Sequence, residues 1–117
     1  MERATRNVFA DIPTALPEEL FETLLQTGPC RLERIVSCGH ATPSDQWYDQ
    51  DWDEWVMVLQ GQAGLRLANE DTARILAPGD SAWLPMHCRH RVEWTSTDPP
   101  TVWLALHIHT DTAAPHG

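Results

Sequence analysis

At 117 residues with a formal net charge of −9, the chain has the length of one domain, and its acidity excludes nucleic acid and anionic membrane surfaces as partners. No apolar run exceeds five residues (Trp55–Leu59 and Val102–Leu106), so the sequence contains no bilayer-spanning helix. Three cysteines (Cys30, Cys38, Cys88) form no C-x-x-C pair, and Met1–Ala10 lacks the apolar stretch of a secretory signal. The expected setting is therefore the reducing cytoplasm.

In chain order, the first predicted element is a helix over Leu16–Gln26. Pro17 suits a first turn, Glu18 and Glu19 suit the positive end of the dipole, and Leu20, Leu24, Phe21 and Leu25 form an apolar stripe that Gly28-Pro29 terminates. Strands follow at 31–37, 54–60, 63–68, 72–77, 81–85, 90–95 and 101–109, with another near 40–48. Gly61–Gly64, Asn69–Asp71 and Pro78-Gly79-Asp80 supply turns. Short strands at this spacing predict an all-β sandwich or barrel. Residues 1–30 are expected to form an arm and helix packed on it, 31–110 the barrel itself, and 111–117 a flexible tail.

Two strands break simple alternation. Trp55, Met57 and Leu59 are as apolar as Val56 and Val58 on the opposite face, and Val102–Ile108 is similar. A strand apolar on both sides is covered on both sides, by the helix or by a second copy, and a homodimer is the expectation. Six tryptophans point to a core or pocket walled by large rings.

The most informative tract is residues 79–90, a Gly-Asp turn, a short apolar strand, Pro85, and then His87 and His90. In the strand that follows, His90, Val92 and Trp94 share a face by alternation. A face bearing Val and Trp is normally buried, so His90 is expected to point into an apolar interior, where its ring nitrogens need partners. Glu54 is interior by the same argument, sharing a face with Val56 and Val58. His107 shares a face with Trp103 and Ala105 and is a further candidate for a pocket wall. The acidic run Asp49, Asp51, Asp53 mimics a calcium loop but has Glu54 where that loop needs glycine and Gln60 where it needs its last glutamate, which excludes an EF-hand.

These residues resemble the cupins, small jelly-roll barrels that hold a metal or ligand in one mouth. Gly79, Pro85 and His90 stand in register with the second cupin motif, with His87 in place of its second glycine and Trp94 in place of its asparagine. Glu54 and Gly61 have the spacing of the glutamate and glycine of the first motif. The histidine pair of that motif is replaced, by Trp47 and Asp49 or by Tyr48 and Gln50 according to the spacer. The resemblance spans about residues 40–108, and the tract from Trp47 to Trp55 is similar to a subgroup of small bacterial cupins.

The resemblance implies a divalent metal (Fe, Mn, Ni or Zn) held by His90 and Glu54 with His87 and Asp49, and a pocket lined by Tyr48, Gln50, Trp83, Trp94 and His107. As an enzyme, such a protein would perform dioxygenation, isomerisation or decarboxylation of a small molecule. The alternatives are a sensor or carrier barrel that binds a small ligand without metal, and a degenerate barrel working through dimerisation.

Overall fold

The computed structural model describes residues 5–109. The all-β expectation holds: there is no helix among the described residues. Eight strands form the fold: β1 (Leu20–Thr27), β2 (Cys30–Ser37), β3 (Asp53–Gln60), β4 (Ala63–Leu67), β5 (Arg74–Leu76), β6 (Ser81–Leu84), β7 (His90–Thr95) and β8 (Thr101–Ile108). They make a five-stranded sheet ordered β1-β2-β8-β3-β6 and a three-stranded sheet ordered β5-β4-β7. Every strand pairing is antiparallel.

The core lies between the two sheets. From the larger sheet Val56, Val58, Ala82, Leu84, Trp103 and Ala105 point inward, and Ala63, Leu65, Leu67 and Leu76 meet them from the smaller one. Each set follows the two-residue period of its strand, as burial of one face requires.

The predicted helix is corrected to a strand. Leu20–Thr27 pairs with β2 along its length, from Leu20 opposite Val36 to Thr27 opposite Cys30. Spacings of four residues satisfy a strand's period as well as a helix's. The half-burial of Leu20, Glu22 and Leu24 alternates with the exposure of Phe21, Thr23 and Leu25. Gly28, at φ 54, and Pro29 form the two-residue turn of a hairpin, and the cross-strand ladder outweighs the weak local helix propensity. The outer face of β2 is crossed instead by the chain before β1. The buried Arg34 guanidinium donates to the Val8 and Ala10 carbonyls at 2.9 and 2.7 Å and to Glu22 on β1 at 2.6 Å.

The segment near 40–48 is not a strand of either sheet. It is tied to β7 at single points: Thr42 N–H donates to the Val92 carbonyl at 2.8 Å, and Tyr48 and His90 exchange backbone bonds of 2.7 and 3.1 Å. The alternation expected along β7 fails at its end. A bulge opposite Gly64 and Leu65 places Trp94 across from Gly64 and Val92 across from Leu65, so Glu93 is the extra residue and the faces exchange beyond it. Residues 110–117, where a tail was expected, lie outside the described residues.

Candidate functional site

A cavity of about 170 Å³ opens between the sheets, walled by Val56, Leu65, Leu84, Ile35, Val92 and Trp103. Its polar lining comes from Glu33 on β2, Glu54 on β3, His90 on β7, His107 on β8, Glu19 just before β1, and Tyr48 and Gln50 from the connecting loop.

Backbone register explains the convergence. Glu54 sits opposite His107, and Glu33 opposite Ala105 on the other side of β8, so both carboxylates flank one imidazole. The His107 ring is held from both sides. Its Nδ1 accepts the Trp52 indole N–H at 2.9 Å, and its Nε2 lies 2.8 Å from Glu33 Oε1 and 3.9 Å from Glu54. An indole N–H can only donate, so Nδ1 carries no proton and Nε2–H donates to Glu33. Burial holds the His107 pKa below its ordinary value, against the opposing pull of Glu33.

Glu54 is buried, and desolvation followed by repulsion from Glu33 pushes its pKa up to about 7, while a hydrogen bond from Gln50 and the charge of Arg31 oppose the rise. Burial also raises the Tyr48 hydroxyl, with Glu19 adding to the effect. His90 is buried, and desolvation lowers its pKa despite the bond between its Nδ1 and the Cys88 carbonyl at 2.8 Å. That bond requires Nδ1–H, leaving Nε2 as a lone-pair acceptor. The Tyr48 ring stacks on His90 with centroids 5.4 Å apart.

The cavity therefore gathers five of the residues singled out in the sequence: His90, Glu54, Tyr48, Gln50 and His107. The spacer is the shorter of the two alternatives, because the bridge between Tyr48 and His90 turns residues 48 and 50 inward and residue 49 out. Asp49 and His87 pair with each other at 2.9 Å outside the cavity, 49% and 63% exposed. The turn after Pro85 does not bring His87 to His90. His87 adopts φ 63, the left-handed backbone that glycine would favour at this motif position. Asp53 is occupied in accepting the Met86 N–H at 2.9 Å.

Trp83 and Trp94 are not among the cavity's lining residues. Trp83 alternates with inward Ala82 and Leu84 and is half exposed on the outer face. Trp94 lies across the bulge against Gly64, where an added Cβ would meet its Cδ1 at 2.7 Å. Conversely, Glu19, Phe21, Glu33, Trp52 and Trp103 enter the site without having been singled out for it. The signal for Glu33 was present as its alternation with Ile35 and Ser37 on β2.

The cupin positions for metal donors are thus filled by Tyr48, Gln50, Glu54 and His90. This set offers one imidazole and one carboxylate, and the second cavity imidazole, His107, has both ring nitrogens engaged. Among the described residues no group of three His, Cys, Asp or Glu side chains is arranged to hold a metal ion. A catalytic Fe, Mn, Ni or Zn centre ordinarily takes at least three such ligands, and the donor set does not fit one.

Residues 37–109 match the model of the cupin domain family. Among solved structures, a "putative mannose-6-phosphate isomerase" from Ralstonia eutropha JMP134 is 45% identical, with 92% of this chain and 100% of that one covered at a TM-score of 0.89. A cupin superfamily protein from Desulfitobacterium hafniense DCB-2 is 17% identical over 94% and 95% of the chains (TM-score 0.72). KdgF from Halomonas sp. is 20% identical over 92% and 96% (TM-score 0.67). A search of curated protein sequences returned no match.

Proposed function

Since the chain belongs to the cupin family, we propose that its cavity binds a small organic molecule directly, without a metal ion. The observation that carries this reading is the replacement of the first-motif histidines by Tyr48 and Gln50, both facing the cavity beside Glu54 and His90. These groups orient a ligand through hydrogen bonds, while Trp103, Val56, Leu65 and Leu84 supply apolar walls. The volume is about that of an engineered cavity of roughly 150 Å³ that accepts benzene. Glu54, with its pKa near neutrality, is the group able to take or give a proton to a bound molecule. His107 is fixed as a neutral donor to Glu33 and so orients the carboxylates. Among the described residues no Lys or Arg lines the cavity, so the phosphorylated sugar in the name of the Ralstonia protein is not carried over to this chain.

The expected homodimer and reducing compartment belong to the same reading. Trp55 stands opposite both Trp83 and Leu106, and Met57 opposite Leu104, an apolar outer surface that supports pairing of two copies. The three cysteines are free, which supports a reducing setting.

The test is an NMR screen of uncharged and charged fragments against EDTA-treated protein, read at the Trp103 indole and the His90 ring. Shifts at both residues, lost in a Val56→Phe variant that fills the cavity, are expected. Shifts that need added metal, or that survive the filling, contradict the reading, as does a screen in which no fragment of any charge binds.

A further inference from the structure

Resting on that reading, we propose that the cavity selects an organic cation of the primary-amine or amidine type, seated with its N–H groups against Glu54, Glu33 and the free nitrogen of His90. The first observation is charge. Among the described residues three carboxylate side chains (Glu19, Glu33 and Glu54) line the cavity and no Lys or Arg does. Arg31 is 3.5 Å from Glu33 and lies outside the lining.

The second is hydrogen-bond polarity. His90 is 6% exposed, lines the cavity, and spends its one N–H on the Cys88 carbonyl. Its Nε2 is therefore an acceptor on the cavity lining for which the described residues provide no hydrogen-bond donor. A ligand with several N–H groups donates to such an acceptor on entering the cavity, where an anion or an ether cannot. Glu54, also 6% exposed, has the Gln50 amide as its hydrogen-bond donor and lies at 3.9 Å from the His107 nitrogen already committed to Glu33. A cationic head in this space meets acceptors on three sides.

The third is the character of the remaining walls. Tyr48, Phe21 and Trp103 place aromatic side chains around the same space, and aromatic faces attract a cation that has left water. The body of the ligand is bounded by a volume of about 170 Å³, close to one aromatic ring.

The experiment is calorimetric titration in EDTA with three probes that share one body and differ in head: benzylamine, benzyl alcohol and benzoate. Benzylamine is expected to bind, benzyl alcohol more weakly, and benzoate not at all. Glu54→Gln is expected to weaken benzylamine about tenfold or more, since a hydrogen bond to a charged group is worth roughly 1.5–3 kcal/mol. Its effect on benzyl alcohol, which carries no charge, is expected to be smaller than its effect on benzylamine. Glu33→Gln gives the same comparison from the other side of His107. Equal or tighter binding of benzyl alcohol or benzoate overturns the cation inference while leaving a small-molecule cavity in place. Absence of binding by all three overturns it as well, and the wider fragment screen then decides the underlying reading. Benzylamine binding that the two variants leave unchanged places the amine elsewhere and overturns the assignment to these residues.

Discussion

Glu54 carries most of the site's electrostatic cost. Its pKa rises from 4.5 to about 7 because burial and Glu33 disfavour its charge. For an acid with a raised pKa the folded state holds its proton longer than the unfolded state does. The associated stability is fully present below pH 4.5 and is lost as pH climbs through 7, about 3 kcal/mol at the extreme. Glu54→Gln is therefore expected to raise the melting temperature at pH 8 and to change it little at pH 4.5. Thermal unfolding at the two pH values checks this, and an equal effect at both would contradict a near-neutral Glu54. Trp52 makes a second prediction. Replacing it with phenylalanine removes the N–H that His107 Nδ1 accepts while Glu33 still holds the Nε2 proton, so the Nδ1 chemical shift should move while Nε2 stays protonated.

His90 and Glu54 were legible as interior residues because each shares a strand face with apolar neighbours and holds a motif spacing. Tyr48 and Gln50 were legible only as one of two registers, since a backbone bridge to His90, 42 residues further along, decides between them. Glu33 was missed because a glutamate among arginines on β2 reads as solvated surface until the opposite imidazole is in place.

At the scale of elements, β1 shows why period alone misleads. Leucines and acids over Leu16–Gln26 satisfy helical and strand spacings together, and the hairpin partner that decides lies across Gly28-Pro29. The consequence reaches the site, because strand pairing is what brings Glu19 and Phe21 to the cavity. The bulge in β7 acts similarly: one extra residue sends Trp94 to the outside, and no local signal in the sequence marks that insertion. The β3–β4 turn depends on Gly61, at φ 79, where a Cβ would also sit 2.9 Å from the Thr101 backbone and against the Ser96 hydroxyl. Gly61→Ala is expected to cost about 1–3 kcal/mol or more from backbone strain and crowding together. Urea unfolding measures it, and a loss below a few tenths of a kcal/mol would contradict the constraint. Gly28→Ala provides the contrast, since a Cβ there meets nothing within 4 Å and only its φ of 54 is strained.

For the molecule as a whole, the all-β barrel followed from strand count and turn spacing, and the two-faced apolarity of β3 and β8 followed from their composition. The apolar outer surface of Trp55, Met57, Trp83 and Leu106 predicts a dimer by sedimentation velocity that Trp83→Glu shifts toward monomer; a monomeric parent protein would contradict it. What composition could not convey is the chemistry of the barrel interior, where donor positions of a metal-binding family carry a phenol and an amide. That exchange decides whether the barrel holds a metal ion or an organic ligand. Its most direct test is the metal content, by mass spectrometry, of protein purified without a histidine tag and then incubated with Fe(II), Mn, Ni and Zn, beside a His90→Ala control. Substoichiometric metal, the same in both proteins, is expected. Near-stoichiometric metal that disappears in His90→Ala would contradict a metal-free cavity.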